Sequence, residues 1–197
     1  MLIMLDQNKL GLAEAETGMM VEQLLTPLTK YKRVRPGARY AIDNGAFSAW
    51  DEKGFLSLLD REWEARDLCR FVAVPDIVGS ARRTLEVFAH WAPKLTGWPL
   101  ALVAQDGQEH LPIPWESIEA IFIGGTNDFK LGRAAEQAVR AAKMLGKWVH
   151  VGRVNTPERL EYFERMGADS IDGSGLARFS WMREVICESR KQGQIAL

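Results

Sequence analysis

The chain has 197 residues, enough to bury a sizeable core as one domain spanning residues 1–197. Hydrophobic residues make up 47% and charged residues 26%, with a formal net charge of −1, so no global basic excess announces nucleic acid. No apolar run approaches the roughly 18 residues of a membrane span, and the apolar start Met1–Leu5 is short and lacks the basic flank of a secretory leader.

Strand-like runs alternate with helical patterns along the chain. Leu2–Leu5 reads as a first buried strand, followed by a helix over about Ala13–Leu28 with Met20, Val21, Leu24 and Leu25 on one face. Lys30–Arg39 is a basic connection broken by Pro36-Gly37, a turn signal. Tyr40–Asp43 is the second strand, and a helix over about Gly54–Cys69 carries Phe55, Leu58, Leu59 and Trp63. Phe71–Val74 is the third. Ser80 caps a helix over Ala81–Ala92. Leu100–Ala104 and Ala120–Ile123 are the fourth and fifth, and Pro112 and Pro114 exclude a helix between them before Trp115–Ile118. An alanine-rich helix, Arg133–Leu145, is closed by Gly146. Trp148–Val151 is the sixth strand. Thr156-Pro157 opens a helix bearing Leu160, Phe163 and Met166. Ser170–Asp172 is the seventh, and a last helix covers about Trp181–Gln192.

Repeated strand–helix units with short connections imply parallel strands and right-handed crossovers. The expected fold is a compact TIM-type α/β barrel, with room for one degenerate unit. An open doubly wound sheet is the alternative, weakened by the lack of a GxGxxG turn. In a barrel the strand C-termini converge on one face. That face would gather Asp43, Asp76 and Asp172 with the amide of Gln105 and the pair Gly124-Gly125. Each is weak alone: Asp43 precedes the turn signal Asn-Gly, Asp76 follows Pro75 at a helix entry, and Asp172 precedes Gly173-Ser174-Gly175. Their equivalent positions make them a candidate site.

Cys69 and Cys187 form no CxxC pair and no cluster with His90, His110 or His150. The expectation is two reduced thiols in the cytoplasm, with no metal and no cofactor. Arg153, Arg178 and Lys130 follow strand ends and could hold phosphates, with the basic run Lys30–Arg39 as a second candidate. Trp181 could stack on a base, although packing is its commoner role.

The order Asp43-x-Gly45-x-Phe47, Pro75-Asp76, Val103-x-Gln105-x-Gly107, Ile123-Gly124-Gly125, Gly152 to Leu160, and Gly167 to Asp172 resembles the tRNA-guanine transglycosylases. It is closer still to the DpdA-type deazapurine DNA transglycosylases, many of them carried by phages. The resemblance covers about residues 40 to 180. It implies a TIM barrel that exchanges guanine for a 7-deazaguanine base through a covalent aspartyl-sugar intermediate. By that resemblance Asp172 matches the nucleophile and Asp43 the general acid/base. Asp76, Gln105, Gly124, Gly125 and Phe47 would bind the base, and a homodimer is the family habit. The tRNA enzymes carry a Cys/His zinc site near the C-terminus. Here only Cys187 and no histidine follows Asp172, so the resemblance implies guanine-containing DNA and a free 7-deazaguanine as partners. Two other readings use the same residues. Gly173–Gly175 and Thr156-Pro157 also suit a barrel enzyme of phosphorylated small metabolites. A barrel that only binds a nucleobase or nucleotide is the third.

Overall fold

The computed structural model describes the backbone of residues 1–195 and the side chains through Lys191. Eight parallel strands close into a barrel: β1 (Leu2–Leu5), β2 (Val21–Leu25), β3 (Tyr40–Ile42), β4 (Cys69–Ala73), β5 (Leu100–Ala104), β6 (Ala120–Ile123), β7 (Trp148–Val151) and β8 (Ser170–Asp172). Each strand pairs with its neighbours in sequence, and β1 pairs with β8 to complete the ring, Met4 lying opposite Asp172. The expected TIM-type barrel is the observed one.

The strands are apolar runs because both faces are covered. Successive side chains point to opposite faces of a strand. One set, including Leu2, Met4, Leu24, Ala41, Phe71, Ala101, Val103, Ala120 and Phe122, fills the barrel interior. The other set packs outward in two clusters. Ile3, Leu5, Ile121, Val149 and Ile171 belong to one and Ile42, Val72, Leu100 and Leu102 to the other. Helices α1 (Leu10–Thr17), α2 (Glu52–Glu62), α3 (Ala81–Trp91), α4 (Asn127–Lys130), α5 (Arg133–Met144), α6 (Pro157–Met166), α7 (Ser174–Arg178) and α8 (Ser180–Ile195) lie outside the ring. Thr156 caps α6 by accepting from the N–H of Arg159, as the Thr-Pro signal predicts.

Two units are degenerate rather than one. The β2–β3 connection has no helix, and the β5–β6 connection holds only the short 3-10 turns Gln108–His110 and Trp115–Ser117. Pro112 and Pro114 explain the second case, since proline lacks the N–H that a helix interior needs.

The helix expected over Ala13–Leu28 is the largest correction. α1 ends at Thr17, Gly18 adopts a left-handed φ of 65°, and the chain turns directly into β2. Met20, Val21, Leu24 and Leu25 mimic helical spacing, yet every residue of β2 is buried. Glu22 tolerates that burial because a partner arrives from elsewhere, and Gln23 is half satisfied, its Nε2 buried without a partner. Arg70 grips Glu22 with two bonds of 2.5 and 2.6 Å, and Gln23 Oε1 accepts the N–H of Val34 at 2.9 Å. This strand is the eighth that the hydrophobic pattern hides. Among the described residues no helix is long and apolar enough to cross a membrane.

Candidate functional site

The C-terminal ends of the strands open into a cavity of about 360 Å³. Asp43, Asp76, Gln105, Gly124, Gly125, Arg153, Asp172, Phe47 and Arg178 all line it, so the ring topology brings nine of the ten candidate residues to one place. Asp43 follows β3 and Asp172 ends β8, and both turn part of their surface to the cavity. Burial pushes the Asp43 carboxyl up to about 7, and the charges of Asp172 and Asp76 add to the rise. The N–H groups of Gly45 and Asn44 oppose it. Gly45 donates to Oδ1 of Asp43 at 3.0 Å. Asp43 therefore holds a proton up to near-neutral pH beside a second carboxylate.

Asp76 is anchored from two sides. Its Oδ1 accepts from Asn44 Nδ2 at 2.8 Å and its Oδ2 from Gln105 Nε2 at 2.5 Å. Burial raises its carboxyl, while those two bonds and the nearby Arg153 pull it back down. Gln105 in turn accepts from the N–H of Gly79, and Asn44 also donates to the carbonyl of Val74. Asn44 and Gln105 thus orient Asp76, leaving that carboxylate to meet the cavity.

Asp172 is held from below and beside. Its Oδ2 lies 3.0 Å from His150 Nε2, and its Oδ1 accepts the N–H of Arg153 at 3.1 Å. His150 is fully buried in the barrel, its ring 4.5 Å from Phe122 and 5.1 Å from Phe71 between centroids. Its Nδ1 reaches Ser170 Oγ at 2.8 Å, and the same oxygen accepts from Trp148 Nε1 at 2.9 Å.

Arg153 is the one non-glycine residue with positive φ among the described residues, at 61°. Such a conformation costs an ordinary residue about 1 kcal/mol or more and persists only when its surroundings enforce it. Here Asp172 takes the N–H of Arg153, and the N–H of Val154 bonds the Asp172 carbonyl at 2.6 Å. The guanidinium crosses the mouth, donates to the Gly125 carbonyl and lies 4.0 Å from the ring centroid of Phe47. Gly124 and Gly125 are required by packing. A Cβ at Gly124 would sit 2.8 Å from Val103 Cγ1, and one at Gly125 2.7 Å from Asp106 Oδ2. The N–H of Gly124 is spent on the Ala104 carbonyl.

Lys130 needs correction as a phosphate-holding residue. Its side chain is buried outside the cavity lining, donating from Nζ to the Gly152 carbonyl at 2.8 Å, and burial pushes its amine down to about 8. It braces the Gly152–Arg153 corner from behind. Of the basic run Lys30–Arg39, Arg33 and Arg35 are engaged within the chain, with Glu62 and Glu14, while Lys30, Lys32 and Arg39 are exposed, and none of the five lines the cavity. Trp181 is exposed on α8 and does not line the cavity. Sequence reasoning missed Asn44, His150 and Ser170 as members of the site. For His150 a signal existed: in Trp148-Val149-His150-Val151 the polar-capable residues alternate with valines, which turns the imidazole inward.

No family model matches the chain, and no curated protein matches it. Solved structures do share the fold. Mandelate oxidase with 3,3-difluoro-2-hydroxy-3-phenylpropionic acid has a TM-score of 0.54 at 16% identity, covering 94% of this chain and 68% of that one. A mandelate oxidase variant with the monooxide FMN adduct gives 0.55 at 16%, covering 98% and 73%. A flavocytochrome b2 variant gives 0.53 at 12%, covering 99% and 63%. At these identities the likeness establishes the fold. The expected guanine transglycosylase activity on DNA, and with it the glycosyltransferase class, is corrected by this finding. The solved neighbours are oxidases and a flavocytochrome, and no transglycosylase is among these matches.

The FMN adduct carried by that mandelate oxidase variant does not suit this site. A reduced FMN needs a positive charge near its pyrimidine ring. The floor offers carboxylates, and the buried amine of Lys130 faces Gly152 instead.

Proposed function

We propose that the chain is a barrel enzyme of small phosphorylated metabolites, working by proton transfer between the substrate and the Asp43–Asp172 pair. One observation carries this reading: Asp43 and Asp172 line one cavity, where burial and the Asp172 charge raise the Asp43 carboxyl to about 7. Two carboxyl groups whose environments separate their proton affinities can act as acid and base in one step. Asp172 takes a proton from one atom of the substrate, and Asp43 delivers its own to another. The net change is an isomerisation or an elimination, and solvent resets both groups afterwards. The carboxylate floor favours a substrate whose reacting end bears hydroxyl or amino donors, with Asp76 accepting one of them. Arg178 and the free N–H edges of Arg153 at the mouth supply positive charge for a phosphate.

The test is turnover in D2O. Panels of sugar phosphates, phosphorylated hydroxy acids and nucleotides are incubated with the protein and followed by proton and phosphorus NMR. Conversion of one class, or replacement of its C–H by C–D, is expected with the native protein and lost with Asp172→Asn. A ligand that raises the melting temperature yet shows neither change would make the chain a binding barrel. Undiminished turnover in Asp172→Asn would remove the pair from the chemistry.

A further inference from the structure

We infer that His150 is the positioning residue of Asp172, locked by Ser170 and Trp148 so that its Nε2–H always faces the carboxylate. The inference rests on the acid–base reading above for its purpose and on hydrogen-bond inventory for its content. Trp148 Nε1–H can only donate, so Ser170 Oγ, 2.9 Å away, must accept. The Ser170 hydroxyl is then left with one hydrogen to give. Ser170 and His150 are both fully buried, and the partner within reach of that hydrogen is His150 Nδ1 at 2.8 Å. An Nδ1 that accepts puts the ring hydrogen on Nε2, which points at Asp172 Oδ2 at 3.0 Å. The chain Trp148, Ser170, His150, Asp172 therefore has one direction, set by the indole at its far end.

The surroundings keep it so. Phe71 and Phe122 flank the imidazole and leave no polar partner on either face. Asp172 then has Oδ2 committed to His150 and Oδ1 to the N–H of Arg153. Both bonds hold the carboxyl group in one orientation at the cavity floor, and its charge is one of the causes that raise Asp43. Without His150 that orientation would rest on the N–H of Arg153 alone. The other ionisable groups lining this cavity are Asp6, Asp51, Asp76, Arg153 and Arg178, with Lys130 behind Gly152.

The experiment needs no substrate. Nitrogen-15 spectra of labelled histidine report the tautomer of His150, and carbon-13 spectra of labelled aspartate report the titration of Asp43. The expected result is an Nε2–H imidazole in the native protein and an Asp43 midpoint near 7. His150→Phe fills the same aromatic slot without either nitrogen and should move that midpoint by about one unit, because Asp172 is no longer held in place beside Asp43. His150→Gln, whose amide reaches a similar point, should restore most of it. Ser170→Ala should release the tautomer and give a mixed nitrogen spectrum. An Nδ1–H imidazole in the native protein would overturn the inference, as would an unmoved Asp43 midpoint in folded His150→Phe. Should His150→Phe not fold, the native tautomer and Ser170→Ala decide alone. Because these spectra are read without turnover, a failed search for substrate conversion leaves them standing, and their failure leaves that search standing.

Discussion

The two ends of the barrel treat their charges in opposite ways. At the N-terminal end, charges come with matched partners among the described residues. Glu22 is gripped by Arg70 through two bonds, Arg70 lies 4.2 Å over the ring of Trp148, and Asp169 takes both Lys143 and the N–H of Val149. At the C-terminal end Asp43, Asp76 and Asp172 share one cavity, and Arg153 at its mouth gives one guanidinium nitrogen to the Gly125 carbonyl and lies over the Phe47 ring. Paired charge closes the bottom of the barrel. Charge left partly uncompensated at the top is destabilising on its own terms and persists because the rest of the ring holds it. The contrast gives each end its own kind of variant.

The largest effect is expected at the bottom. Arg70→Ala strips the counter-charge from a nearly buried Glu22 and uncovers Trp148, and breaking such a pair from one side costs about 3 kcal/mol. Urea unfolding checks it. A loss under about 1 kcal/mol would mean that the pair is as dispensable as a surface ion pair, and the contrast between the ends would fail.

Next in size is Asp172→Asn at the top. Loss of a positioned acid or base slows turnover by about 100-fold or more, and stability should fall by about 1 to 2 kcal/mol, because the single amide oxygen serves either the N–H of Arg153 or Nε2–H of His150 and leaves the other facing an NH2. The same change removes the charge that helps raise Asp43, so the Asp43 midpoint should fall from about 7. A midpoint that stays in place would show burial alone to be responsible.

Asp43→Asn should then stabilise the protein, increasingly as pH rises above about 4 and fully above about 7. The folded carboxyl is raised to about 7 from its ordinary 3.8. Between those values the unfolded chain sheds its proton and the folded one keeps it, so stability falls as pH rises and levels off above 7. At roughly 1.4 kcal/mol per unit the ceiling is about 4 kcal/mol, and relaxation around the charge brings the expectation to about 2 kcal/mol. Melting curves should separate the variant from the parent at pH 8 and overlay them at pH 4. Separation at pH 4 would trace the gain to packing instead.

Much of this contrast was legible in the sequence, and unevenly so. The top was readable because parallel strands in a closed ring deliver all their C-termini to one rim. Asp43, Asp76, Gln105, Gly124 and Asp172 announce themselves as polar or glycine residues ending apolar runs. The bottom was not. Glu22 and Gln23 interrupt the pattern of β2, and the partners they find, Arg70 and the Val34 N–H, lie 48 and 11 residues away. Lys130 reads as a free cation because nothing nearby in sequence shows that the Gly152 carbonyl will take it. The activity suggested by short motifs in the right order was overturned, since those motifs mark strand ends that barrels of other chemistry also possess.

The smallest effect tests whether pairing or hydrogen bonding closes the bottom. Lys143 and Asp169 form an ion pair at 2.6 Å, with side chains 40% and 23% exposed. A pair that open to solvent contributes between 0 and about 1 kcal/mol, so Lys143→Ala should barely move the melting temperature, and less still at high salt. Asp169 has a second duty. Its Oδ2 accepts the N–H of Val149 at 2.8 Å, near the start of β7. Asp169→Ala strands that donor and should cost about 1 to 2 kcal/mol, whereas Asp169→Asn, which keeps an acceptor and discards the charge, should fall close to Lys143→Ala. Were Asp169→Asn as damaging as Asp169→Ala, the charge itself would be holding the strand end. The two ends of the barrel would then differ in how many charges they carry rather than in how those charges are used.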